Sequence, residues 1–141
     1  RQLYASDLLD VMDAALDASG VDPAAIEIEF TESMLMHEVD QAMKVMEALK
    51  SRGFSLAIDD FGTGYSSLSY LNWMPVDKLK IDRRFIHSIG KDQQSDQVCR
   101  TIISLADSLD IRVVAEGIEE QSQLCFLKEA HCEVGQGFLF A

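Results

Sequence analysis

Basic residues are scarce: 12 Lys and Arg stand against 24 Asp and Glu, giving a formal charge of −12. A nucleic-acid-binding face needs a basic stripe, so DNA and RNA are excluded as partners. The same imbalance disfavours an anionic ligand unless cations or a local Lys and Arg cluster offset the field. No apolar run is long enough to span a bilayer, and no signal-peptide pattern stands at Arg1. Cys99, Cys125 and Cys132 are odd in number and lack CxxC spacing. They read as buried or free thiols of a reducing compartment, not as a disulfide framework or a zinc site. Low-complexity linkers and breaks in composition are missing too.

What is present suits one domain: 141 residues, 48% of them hydrophobic, enough for a core. Leu8, Met12, Ala15 and Leu16 recur at helical spacing after Ser6, read as an N-cap, with Gly20 closing the segment. Residues 26–31 alternate as a strand, with Ile26, Ile28 and Phe30 against Glu27, Glu29 and Thr31. Val39, Ala42, Met43, Met46 and Leu49 form a second helical stripe, stopped by Gly53. Strands are predicted over 54–60, 78–82, 112–116 and 134–140, with helices over 66–71, 98–109 and 120–130. Strands alternating with helices at such short intervals imply parallel βα units.

Two parallel architectures compete. A doubly wound sheet buries both strand faces in apolar side chains. Here one face is polar in several strands: Glu27 and Glu29; Ser55, Ala57 and Asp59; Lys78 and Lys80; Arg112 and Glu116. Polar residues also end five successive strands: Glu29, Asp59 with Asp60, Lys80, Glu116 and Gln136. Barrels place function at the C-terminal ends of their strands. The expected fold is therefore α/β, about five βα units forming the C-terminal portion of a TIM-like (β/α)8 barrel. A complete barrel takes roughly 250 residues. The chain accordingly reads as a fragment with two open sheet edges, closed by a missing N-terminal part or by a second copy.

The run Ile58-Asp59-Asp60-Phe61-Gly62-Thr63-Gly64-Tyr65-Ser66-Ser67-Leu68 carries the chemistry. Adjacent carboxylates repel, and one pKa rises unless a cation is near. Gly62 and Gly64 allow backbone angles other residues avoid and leave room for a phosphate. The alternative is a strand followed by an acidic turn that caps a helix at Ser66. If the barrel closes, Glu29, Asp59, Asp60, Glu116 and Gln136 share one mouth with Lys80. Such oxygen donors suit Mg²⁺ or Mn²⁺, and two such ions can serve an in-line phosphoryl displacement. Lys80 would act as a point charge for a phosphate or a nucleophilic water, or as the partner of a neighbouring acid.

Other polar residues have plainer readings. His37, His87 and His131 stand alone, as surface or capping residues. Trp73, Tyr65 and Tyr70 read as core or interface, and Met34, Met36, Met43 and Met46 as helix packing. Glu119 and Glu120 open a helix, where the dipole favours negative charge. Lys78, Lys80, Arg83 and Arg84 form the one basic island.

The blocks Glu29-Phe30-Thr31-Glu32-Ser33, Asp59 to Leu68, Lys80-Ile81-Asp82, Ala115-Glu116-Gly117-Ile118-Glu119 and Gln136-Gly137-Phe138 cover almost the whole chain. In order and spacing the chain resembles the EAL-type cyclic-di-GMP phosphodiesterases of bacterial signalling. The resemblance implies that 1–141 is a partial EAL domain, a modified TIM barrel hydrolysing cyclic di-GMP to linear pGpG with Mg²⁺ or Mn²⁺. It implies metal-site roles for Glu29, Asp59, Asp60 and Glu116. Lys80 takes the place of the lysine at the water or phosphate, and Gln136 that of the active-site glutamine. Glu32 and Glu119 match supporting acids, and Phe61, Gly62, Thr63 and Gly64 a loop linking metal binding to dimer contacts. The family's Glu-Ala-Leu motif, with an upstream Asn and Arg, is not in the sequence. The two-metal site is thus expected to be incomplete, and the fragment alone weak or inactive. A non-catalytic cyclic-di-GMP receptor and a half-barrel interaction module are the alternatives. The resemblance further implies a cytoplasmic setting, a homodimer or edge-to-edge association, and accompanying sensory or GGDEF-type domains. A membrane tether elsewhere in the protein is left open.

Overall fold

The computed structural model describes residues 5–63 and 68–141. Helix α1 (Ala5–Ser19) leads to β1 (Glu27–Thr31), followed by α2 (Glu32–His37) and α3 (Val39–Ser51). Then come β2 (Ser55–Phe61), α4 (Leu68–Leu71), β3 (Lys78–Ile81), α5 (Arg83–His87), α6 (Gln93–Ser108), β4 (Arg112–Glu116), α7 (Gln121–Glu129) and β5 (Val134–Gln136). The strands form one parallel sheet in the order β1-β2-β3-β4-β5. Sequence order equals spatial order, as βα units laid side by side require.

Strand periodicity sorts the residues into two faces. Leu56, Ile58, Leu79, Ile81, Val113 and Ala115 point to one side, into a core completed by Leu35, Met46, Leu49, Cys99, Ile102, Ile103, Ala106 and Leu127 of the helices. By register the other face carries Glu29, Ala57, Lys78, Lys80, Val114, Glu116 and Gln136. The helices therefore cover one face only, which decides against the doubly wound alternative. Two carboxylates from β1 and β4 meet on a single ammonium on the other face. Upright side chains on a flat sheet would hold those strands' carboxylates about 14 Å apart, so the twist of the sheet and the lean of these long side chains close the gap on what is the concave side of a parallel barrel wall.

Some expected boundaries move. Helix α1 begins at Ala5, so Ser6 lies inside it and is not its cap. Helix α6 starts at Gln93, because Asp92 caps it by accepting from the N–H groups of Gln94 and Ser95. The last strand stops at Gln136 instead of running to residue 140. A Cβ at Gly137 would stand 2.2 Å from the Ile118 carbonyl oxygen, and Leu139 N–H donates to that oxygen at 3.0 Å. The chain thus wraps Ile118 and turns into a short 3-10 segment, Phe138–Phe140. Met46 packs in the core as expected, whereas Met34 and Trp73 are exposed. Burial pushes the Cys99 thiol up to about 12, which fits a structural thiol and not a reactive one. The readings at Gly64, Tyr65 and Ser66 lie outside the described residues.

Candidate active site

Four of the expected site residues meet at the C-terminal ends of four strands. Lys80 Nζ stands 2.6 Å from Glu29 Oε1 and 2.7 Å from Glu116 Oε1, and Gln136 Nε2 donates to that same Glu116 oxygen at 2.9 Å. Only 11% of the Lys80 side chain is exposed. Burial would lower the lysine pKa, but the hydrogen bonds and charges of Glu116 and Glu29 outweigh it and push the pKa up. Lys80 is a fixed cation here, not a proton donor near neutrality. One layer down the concave face, Lys78 pairs with Glu27, which Ser55 also approaches.

The Asp59–Asp60 pair depends on a feature that alternation does not reveal. Between Ile58 and Phe61 strand β2 advances three residues while β3 advances two, from Leu79 to Ile81. This one-residue bulge seats Phe61 in the same core as Ile58, whereas simple alternation would turn it to the polar face. Asp60 absorbs the irregularity with φ 54, and its N–H donates to Asp59 Oδ1 at 2.8 Å. Two consecutive carboxylates can therefore both stand at the mouth. Partial desolvation, then the charges of Asp59 and Asp82, raise the Asp60 carboxyl above its ordinary value. The Asp59 contribution is the like-charge cost anticipated for the pair; it adds to the larger desolvation, and Arg84 offsets part of the total.

The supporting residues hold the turn that follows. Glu32, buried at the start of α2, accepts the Gly62 N–H at 2.9 Å, and the Thr63 hydroxyl donates to the Asp60 carbonyl at 2.9 Å. Glu119 does not join the Lys80 group. Its carboxylate lies 3.5 Å from His87 Nε2, and its N–H donates to Gln123 Oε1 at 2.8 Å. His87 thus has a partner at the end of α5 while staying at the surface, 43% exposed, which fits its reading as a surface or capping residue. Asp82 was not marked for a role. It is buried, it caps α5 by accepting the Arg84 N–H at 2.7 Å, and the Arg84 guanidinium donates to its Oδ2 at 2.9 and 3.1 Å. Burial raises its pKa, yet Arg84 outweighs that and holds the carboxyl below the usual range. Its place in the block Lys80-Ile81-Asp82 was the available signal.

The donor set suits a hard divalent cation in chemistry: carboxylate oxygens at neighbouring strand ends, with the Asp60 carboxyl pushed up by desolvation and then by like charge. Its geometry does not yet form a cage. Among the described residues no group of three or more His, Cys, Asp or Glu side chains is arranged to hold a metal ion. The Lys80 ammonium stands between Glu29 and Glu116.

A family model described as the EAL domain matches residues 1–141. The chain belongs to the EAL family. It is 46% identical over 136 residues to the cyclic di-GMP phosphodiesterase NbdA of Pseudomonas aeruginosa, covering 96% of this chain and 17% of NbdA. The structure of the PaMucR phosphodiesterase in complex with c-di-GMP superposes with TM-score 0.92 at 39% identity, over 95% of this chain and 54% of that one. Klebsiella pneumoniae BlrP1 with manganese and cyclic di-GMP gives TM-score 0.85 at 35% identity, over 97% and 36% of the two chains. The concave five-stranded sheet is accordingly part of the TIM-like barrel of EAL domains. The chain spans about half of the MucR phosphodiesterase and less than a fifth of NbdA. No helix among the described residues is long and apolar enough to cross a membrane.

Proposed function

We propose that this EAL domain serves the metal-dependent hydrolysis of cyclic di-GMP to linear pGpG. The observation that carries the reading is the convergence of Glu29, Lys80, Glu116 and Gln136 from four strands onto one mouth. Glu29, Asp59, Asp60 and Glu116 would hold Mg²⁺ or Mn²⁺, whose chemistry is to activate water and neutralise charge on a phosphoryl group. Lys80 supplies a permanent positive charge that draws a phosphate into an otherwise acidic molecule. Gln136 steadies the Glu116 carboxylate, and Glu32 fixes the turn at Gly62. That turn, with Thr63 and Gly64, is assigned to the ligand's approach, whereas Phe61 packs into the core and supports the turn from beneath instead of facing a ligand. Glu119 acts at one remove, through its contact with His87. Association as a homodimer, with sensory or GGDEF-type domains beside it in a cytoplasmic setting, belongs to the same reading.

The test is a cyclic di-GMP hydrolysis assay with Mg²⁺ and Mn²⁺ on a chain extended to the length of the structural relatives. The 141 residues alone are expected to turn over weakly. Turnover in the extended chain should vanish with a chelator and return with Mn²⁺. Asp59→Asn should lower it by about a hundredfold. Near-normal turnover in that variant would overturn the metal assignment. Tight binding of cyclic di-GMP without cleavage would favour a receptor instead.

A further inference from the structure

Ala57 lies on the polar, concave face of the sheet, yet it is fully buried at 0%. Its register neighbours are Glu29 on β1 and Lys78 on β3. It is absent from the helix-side core, so its cover comes from the concave side. Glu29 beside it is 43% exposed, so the cover is local and not a packed layer.

Two ion pairs run across that side. Lys78 reaches Glu27, and Lys80 reaches Glu29 at 2.6 Å, each joining β3 to β1. Neighbouring strands lie about 4.8 Å apart, so each bridge crosses nearly 10 Å over β2. By register the Lys78–Glu27 bridge passes over β2 at Ser55 and Ala57, and the Lys80–Glu29 bridge at Ala57 and Asp59; Ser55 and Ala57 are the two smallest side chains of that strand. A larger side chain would stand in the path of the lysine stem. We propose that Ala57 is a positioning residue of the site: having no atoms beyond Cβ, it lets Lys80 span β2 and be held between Glu29 and Glu116. With a valine there, Lys80 keeps Glu116 on the adjacent strand and loses Glu29. Lys80 then moves toward β4, and the Glu29 carboxylate is released.

The functional meaning rests on the phosphodiesterase reading, but the contact can be tested without turnover. In the metal-free full-length protein, the Lys80 side-chain ammonium is followed by ¹⁵N NMR and assigned by its loss in Lys80→Arg. Doubly held and mostly buried, it should exchange its protons slowly. Ala57→Ser should retain the signal. Ala57→Val should speed exchange at least tenfold and shift the resonance as Glu29→Ala does. Adding Ala57→Val to Glu29→Ala should change nothing further, because the crossing is already gone. Should the valine variant not fold, Ala57→Cys gives the same comparison with a smaller intrusion. An unshifted, still protected signal in the enlarged variant would overturn the proposal. So would an equal added effect in the Glu29→Ala background, which marks general disruption of the strand. Absence of hydrolysis in the unmutated protein would sink the functional reading and leave the NMR result standing.

Discussion

Lys80 carries a charge that its burial opposes and two carboxylates restore. A lysine whose folded pKa is raised contributes stability that is fully present below its unfolded value near 10.4. That contribution is lost only as pH climbs through the higher folded value. Lys80→Met leaves Glu29 and Glu116 facing each other without a cation, and should cost about 2 kcal/mol at pH 7 to 9 in urea denaturation. As pH rises from neutrality, the gap to the unmutated protein should narrow only in strong alkali. Narrowing that began below pH 9 would contradict the assignment. No sequence signal could have paired Lys80 with Glu29, which lies 51 positions away. The sequence marked both as strand-end polar residues, and only the pairing order of the strands and the reach of Lys80 over β2 bring them into contact.

Among the elements, the end of β2 is the most constrained. The bulge, the Glu32 carboxylate and the side chains of α5 and α6 all meet the turn at Gly62. Its φ is +95°, and an added Cβ would sit 2.9 Å from Ile102 Cδ1 and 3.1 Å from Phe85 Cε2. Gly20 also has positive φ, at +66°, but nothing lies within 4 Å of an added Cβ. Gly62→Ala should therefore cost about 2–3 kcal/mol and Gly20→Ala about 1 kcal/mol, compared by thermal melts of both variants. Equal losses would mean that the packing around Gly62 yields freely. The alternation of residues 54–60 was plain in the sequence, as was the glycine after it. The bulge was not, since its only trace is Phe61 falling out of phase with Leu56 and Ile58. Helices α2 and α5 also escaped notice. Six and five residues make fewer than two turns, too short for a stripe, so Met34 passed for packing although it faces solvent.

At the scale of the whole molecule, the two ends of the sheet do different work. The C-terminal end gathers the polar mouth. The other end is tied by Asp77, whose carboxylate accepts from Lys50 Nζ at 2.8 and 2.9 Å and from Leu56 N–H at 2.8 Å. Its carbonyl accepts from Arg112 N–H at 3.1 Å, so one residue joins α3, β2 and β4. Burial raises its pKa, but Lys50 and the Leu56 amide outweigh this and hold the carboxyl below its usual range. A depressed carboxylate stabilises above its unfolded pKa near 3.9 and stops doing so as pH falls through the lower folded value. Asp77→Ala should cost about 2 kcal/mol at pH 7, and the difference should close below pH 4, as read by denaturation across pH. Under the proposed activity, kcat of the folded protein should stay the same, and a large loss of kcat would mean that the two ends are coupled. The division of labour was legible in the five polar strand ends. The clamp was hidden, because an aspartate in a loop before a strand looks like any turn residue.

The shared ammonium also bears on the order of assembly. In a newly made chain, bringing Glu29 and Glu116 together would be opposed by their repulsion. Lys80 cancels that repulsion from within the polypeptide, so the strands can come together in a metal-poor cell. An incoming divalent ion would then meet carboxylates already gathered, and would compete with a tethered lysine instead of nucleating the wall itself.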